Sequence, residues 1–379
     1  MSAEVADTER AGSKLTKKLF AVCAAAGLFL SLAGSTAAAH DEKSNPLPPE
    51  KPGEKIERSL PVDPQAVVTL CVASGTLRVR GSDKSEIRVR SLDAAQLDFR
   101  RIDKSKDPAK PAMRVDVMVF DKRGLANPKL DCQAVASVEM EVPASATVQV
   151  QTRDGDIMIS GVAGAYAGSQ NGDIAIDRAT KLVEAGTLGG SIVLKDSSGR
   201  VNLSSAGGGV DAINIRPITE EDTFEVGTVS GDIQLTRVSN QKVNAKTSNG
   251  TVMMTGPLAK SGSYGFQTMT GDIVLAMPHD ASFQLNAKIS DKHDIVSDFA
   301  LKYLSEPPLP PPAKPRTPAP GSKSKTPAAK GGPVVAPIVV ARPAVVMQYP
   351  LRRVTAIFGS GDATISIASF GGTIRLKKI

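Results

Sequence analysis

A twelve-residue pattern, apolar-x-apolar-x-Ser/Thr-x-x-Gly-x-apolar-x-apolar, recurs seven times in succession through the middle of the chain and once more near its C-terminus. Its glycines are Gly155, Gly172, Gly190, Gly208, Gly231, Gly250 and Gly271, spaced 17, 18, 18, 23, 19 and 21 residues apart, with Gly372 as the late copy. A unit this short cannot bury its own apolar side, so a chain repeating it must stack one unit on the next.

Three residues before each glycine stands a hydroxyl: Thr152, Ser169, Thr187, Ser205, Thr228, Thr247, Thr268 and Ser369. Apolar pairs lie two and four residues after it, as in Ile157 with Ile159, Ile192 with Leu194 and Ile374 with Leu376. Others lie five and seven before it, as in Val148 with Val150, Phe224 with Val226 and Tyr264 with Phe266. A period of two on each arm turns one face of a short strand inward. The offsets are odd before the glycine and even after it, so an uninterrupted strand would throw the arms onto opposite faces. A corner at the glycine must reset the pleat, and the hydroxyl column is placed to satisfy backbone there. The fold class is therefore all-β: a single-chain β-solenoid of coils about 18–20 residues long, with backbones pairing about 4.8 Å apart.

Because the template is constant, length varies only in the turn joining one unit to the next. The longest such turn covers residues 213–223 and carries Glu220, Glu221 and Asp222, a charged run that reads as a solvated loop on one edge of the stack.

The termini differ from the repeats. Lys14, Lys17 and Lys18 precede an apolar run over residues 19–32 and then Ala37, Ala38 and Ala39. This is the order of an export signal over residues 1–39, an uncleaved anchor being the rival reading. Residues 40–64 read as a Pro-rich linker and 65–147 as an irregular β region capping the solenoid. Residues 148–304 are the repeats and 351–379 a C-terminal β unit completing the stack. Between them, residues 305–350 hold 13 of the 26 prolines, with Lys314, Arg316, Lys323, Lys325, Lys330 and Arg342 against the single acid Glu306. That composition reads as a disordered basic insertion. Val22 before Cys23 argues against lipidation, and removal of the signal would leave Cys71 and Cys132 alone. An oxidising compartment would permit them to pair, and whether they approach each other is open from spacing.

Val229-Ser230-Gly231-Asp232-Ile233, Met269-Thr270-Gly271-Asp272-Ile273, Gly361-Asp362-Ala363-Thr364-Ile365 and Ser369-Phe370-Gly371-Gly372-Thr373-Ile374 resemble the bacterial putative-adhesin family, a domain of unknown function. The likeness spans about residues 148–379, with a weaker extension to 65. It includes Ser297-Asp298-Phe299, which in that family precedes a hairpin; here the Pro-rich insertion splits that hairpin and Leu351-Arg352-Arg353 resumes it. The resemblance implies an exported β-solenoid and supplies no catalytic residues.

The Gly-Asp pairs at 155–156, 172–173, 231–232, 271–272 and 361–362 invite a calcium reading. Aspartate is absent after Gly190, Gly250 and Gly372, however, and aspartate in a turn commonly satisfies backbone. His40, His279 and His293 have no partner at ligand spacing, and no column of carboxylates marks a sugar-cleaving site. Aromatics make up 4% of residues and do not interleave with basic ones, which argues against a nucleic-acid platform. The expectation is thus an exported non-enzyme with no catalytic residues, metal or cofactor. Its role would be structural or adhesive at the envelope, in the periplasm or on the surface. Its partner would be an envelope protein or glycan, and it would meet a membrane only through an uncleaved signal. The alternative, with net charge +7, is a polyanion binder acting on acidic glycan or phospholipid through the basic insertion, and a β-helix polysaccharide enzyme is the remote one.

Overall fold

A computed structural model describes residues 55–102, 110–122, 132–305 and 351–379. The readings made for residues 1–39, for most of the linker and for the basic insertion lie outside the described residues.

Alternation of apolar and polar residues makes each arm of the repeat a strand. The arm before each glycine joins one parallel sheet and the arm after it joins a second, so each coil contributes one strand to each. In the first-arm sheet Val183, Val201, Phe224, Val243, Tyr264 and Ile365 stand in register on successive strands. In the second-arm sheet Ile157, Ile174, Ile192, Val210, Ile233, Val252, Ile273 and Ile374 do the same. All of these side chains are buried, and together they form one apolar core running the length of the stack. Among the described residues there is no helix long and apolar enough to cross a membrane.

The order of coils in space departs from their order in sequence at both ends. The strands Ala112–Phe120 and Val138–Pro143 are the last parallel strands at the N-terminal end, and the coil bent at Gly75 is inserted between them and the Gly155 coil. At the far end Ala363–Ser369 and Ile374–Lys378 slide between the Gly271 coil and the pair Phe283–Ser290 and Ile295–Ser297. The C-terminal unit therefore sits one layer inside the stack instead of terminating it. Antiparallel strands finish the ends: Glu86–Ser91 and Gln96–Arg101 at one, Leu351–Phe358 with Lys302–Ser305 at the other. The hairpin split by the insertion is closed by pairing of Ser305 with Thr355.

The linker expected over residues 40–64 gives way to strand at Ile56, because Ile56–Ser74 is continuous. Its first part pairs antiparallel with Glu86–Ser91 and its second joins the first-arm sheet. Pro61 is tolerated because residues 56–61 form the free edge of the second-arm sheet, where a missing N–H breaks no ladder, and Pro64 falls in the irregularity between Val62 and Val67, where the pairing with Ala112–Phe120 shifts register.

Candidate functional site

The repeat's most regular residues meet at one corner. The glycines stack directly, and a Cβ on Gly172 would strike the carbonyl of Gly155; the same collision awaits a side chain at Gly190, Gly208, Gly231, Gly250, Gly271 and Gly372, each against the glycine one coil away. Gly155 meets Gly75 in the same way, which makes Gly75 a member of the column. At Gly75 and Gly271 the backbone also needs φ of 131° and 139°, a region other residues seldom enter.

The hydroxyls bond across coils. Ser169 donates to the Gly155 carbonyl at 3.2 Å, Thr187 to Gly172 at 2.9 Å, Ser205 to Gly190 at 2.8 Å and Thr228 to Gly208 at 2.9 Å. Thr247 donates to Gly231 at 3.1 Å and Thr268 to Gly250 at 3.0 Å. Two members depart from this rule. Ser369 turns to the carbonyl of its own Gly372, and the buried Thr152 hydroxyl has no partner among the described residues.

The aspartates that suggested calcium serve the same stack. Asp156 accepts from the Asp173 amide, Asp173 from Ser191, Asp232 from Thr251 and Asp272 from Thr373, all at 2.7–2.9 Å. Gly361 and Asp362 fall outside this column, in the turn between Leu351–Phe358 and Ala363–Ser369. Among the described residues no three His, Cys, Asp or Glu side chains gather as a metal site. Beside the corner, Asp154 accepts from Asn171 at 2.8 Å and from Arg153 at 3.2 Å, and these bonds, Asn171 first, hold its carboxyl below the usual range. Cys71 and Cys132 are joined by a disulfide with Cα atoms 5.0 Å apart, tying the Gly75 coil to the segment that enters Val138–Pro143.

The turn expected over residues 213–223 is shorter, because strand Val210–Ile215 runs on and the next begins at Thr223; it exposes Glu220 and Glu221 but folds Asp222 back, where it accepts from the Ile218 and Thr219 amides at 2.7 and 2.9 Å.

A charged concave surface lies elsewhere, on the outer face of the second-arm sheet near its N-terminal end. Inward Leu77 and Val79 force Arg78 and Arg80 outward. In register with Arg78 run Met158, Ala175 and Val193; in register with Arg80 run Ser160, Asp177 and Lys195. On the other side Glu139 and Glu141 follow, and then Arg90 and Arg88 opposite them. The sheet curls so far that Arg88 and Arg90 line the same groove as Val193 and Lys195, five strands away, and the groove holds about 650 Å³.

Most charges in the groove's wall are paired. Arg88 meets Glu86 at 2.8 Å and Glu57 at 3.6 Å, Arg90 meets Glu57 at 3.1 Å and Glu141 at 3.5 Å, and Arg78 meets Glu139 at 3.7 Å. Asp177 is paired with Arg178, which lies outside the groove. Arg80 and Lys195 are exposed and have no ion-pair partner among the described residues. The twin sequences Leu77-Arg78-Val79-Arg80 and Ile87-Arg88-Val89-Arg90 carried the signal for this groove: arginine at the outward position of two strands in one sheet.

These features define a β-solenoid whose periodic polar residues serve stacking and which carries a charged concavity near its N-terminal end. Residues 71–302, more than half of the chain, match the model of the Toastrack DUF4097 family, and the chain belongs to that family. Two solved structures are also similar. One is described as "a putative cell adhesion protein from Clostridium sporogenes ATCC 15579", 10% identical over 86% of this chain and 100% of that one, with a TM-score of 0.18. The other is "a putative adhesin from Parabacteroides merdae ATCC 43184", 10% identical over 60% of this chain and 90% of that one, with a TM-score of 0.35. No curated protein matches the chain.

Proposed function

We propose that the protein is an exported, non-catalytic rod with a structural or adhesive role at the cell envelope, its partner an envelope protein or glycan. The observation that carries this reading is the use of the repeat's hydroxyls and aspartates to bond coil to coil, which leaves the recurring polar groups no chemistry to perform and gives a stiff stack with broad outer faces. Membership of the Toastrack family supports it. The Cys71–Cys132 disulfide supports export, since such bonds persist in oxidising compartments. So does the order of Lys14, Lys17 and Lys18, an apolar run and Ala37-Ala38-Ala39.

The test is fractionation of cells expressing the native chain, with thiol labelling of each fraction. The reading expects the protein in the envelope or medium, shortened near Ala39, with Cys71 and Cys132 unlabelled. A full-length, thiol-labelled protein confined to the cytoplasm would sink it.

A further inference from the structure

We infer that the groove between Arg80, Lys195 and the Arg88–Arg90 strand binds a carboxylated oligosaccharide. The inference stands on the groove alone and does not require the adhesive reading.

The groove floor consists of two parallel rows of different character. Met158, Ala175 and Val193 form an apolar row, and Met158 is 41% exposed, a large apolar side chain left open to solvent within a charged surface. Beside it Arg80, Ser160, Asp177 and Lys195 form a polar row with cations at its two ends. Three strand spacings separate those ends, about 14 Å. A sugar ring presents a C–H face and a rim of hydroxyls, which matches one row of each kind. Arg80 and Lys195 are the groove cations without a protein partner, so they can take carboxylates without breaking an existing pair. Arginine holds a carboxylate through two parallel N–H bonds.

The acids in the groove select among anions. Glu139, Glu141 and Asp177 would repel a polymer as densely charged as polyphosphate, whereas they accept hydrogen bonds from the ring hydroxyls that lie between the carboxylates of an acidic sugar chain. A phosphate polymer therefore fits less well. A membrane surface fits less well again, because the site is a concavity that a flat bilayer cannot enter.

The test uses the full chain and fluorescently labelled oligogalacturonate, with a neutral oligosaccharide of equal length, polyphosphate and vesicles of anionic phospholipid as comparison ligands. Binding of the oligogalacturonate is expected to weaken at least tenfold in the Arg80→Gln/Lys195→Gln double variant. Both side chains are exposed and unpaired among the described residues, so the melting temperature should not change. Met158→Asp should weaken binding to a similar degree with the cations intact. A second full-length variant, with Lys314, Arg316, Lys323, Lys325, Lys330 and Arg342 changed to Gln, should bind as the wild type does. Four results would overturn the inference: no binding of oligogalacturonate, equal binding of the neutral sugar, tighter binding of polyphosphate or vesicles, or loss of binding in the insertion variant with retention in the groove variant. Any of them leaves the envelope reading standing, which fractionation tests separately.

Discussion

At the scale of single residues the corner is a set of bonds with unequal partners, and that inequality is measurable. The Thr187 hydroxyl both donates to the Gly172 carbonyl at 2.9 Å and accepts from the Gly190 amide at 3.2 Å. Thr187→Val keeps the shape and strands two buried backbone groups, which should cost about 1–3 kcal/mol in denaturant melts. Thr152 occupies the equivalent place one end of the column away, is buried, and has no hydroxyl partner among the described residues. Thr152→Val should be neutral or slightly stabilising in the same melts, since it removes an unpaired polar group. Equal losses at the two sites would mean that the hydroxyls matter for shape and not for bonding. The glycines and hydroxyls were legible as columns from spacing alone. That six of the eight hydroxyls reach the neighbouring coil was not, because spacing shows which residues share a corner but not how far apart successive corners rise. The groove was missed for a related reason. Arg90 and Lys195 are distant in sequence, and only the curl of the sheet brings them to one groove.

At the scale of strands and turns, the ladder of like residues distributes the core evenly, so each rung should be costly to break and each edge loop cheap to alter. Ile233 is fully buried between Val210 and Val252. Ile233→Asp would bury a carboxylate without a partner and should abolish the cooperative transition or lower its midpoint steeply, whereas Glu220→Ala on the exposed loop should stay within about 0.5 kcal/mol of wild type. A normal melt for Ile233→Asp would contradict the inward assignment. Tyr264, in the first-arm sheet two coils further along, carries a pH signature. Its hydroxyl accepts from the Ala259 amide at 2.6 Å, and burial raises its pKa against the smaller lowering effect of that bond. Because the folded value lies above the unfolded one, the neutral phenol's contribution is fully present below about pH 10 and is lost as pH rises through the folded value. Tyr264→Phe should therefore be less stable than wild type near neutrality, by about 1 kcal/mol, with the difference shrinking in alkaline melts. A difference that widens above pH 10 would reverse the assigned direction.

At the scale of the whole molecule the decisive feature is that neither the first glycine-cornered coil of the described chain nor the last forms an end of the stack. The Gly75 coil lies between Ala112–Phe120 with Val138–Pro143 and the Gly155 coil, and the Gly372 coil lies between the Gly271 coil and Phe283–Ser290. Sequence period predicted the coils but not this order, since every rung offers an incoming strand nearly the same apolar partners. What selects it is local to the ends. At the C-terminal end Phe283, Phe299 and Phe358 close against one another with centroids 4.9–5.9 Å apart, and the Lys378 ammonium sits over two of the rings. At the N-terminal end the Cys71–Cys132 disulfide clamps the inserted coil to the strand outside it, across 61 residues of sequence. A loop of that length constrains the unfolded chain by roughly 4 kcal/mol in the chain-entropy model. Stacked coils contact only their neighbours, so loosening one end of an ordinary solenoid frays that end alone. Here the inserted coil also carries the bonds between the cap and the Gly155 coil, and its release would open two interfaces together. Reduction, or Cys71→Ala with Cys132→Ala, should therefore lower the midpoint of the main transition in denaturant. A separate early transition, with the remaining coils melting unchanged, would show that the inserted coil is a detachable cap and that the interleaving does not couple the ends to the stack.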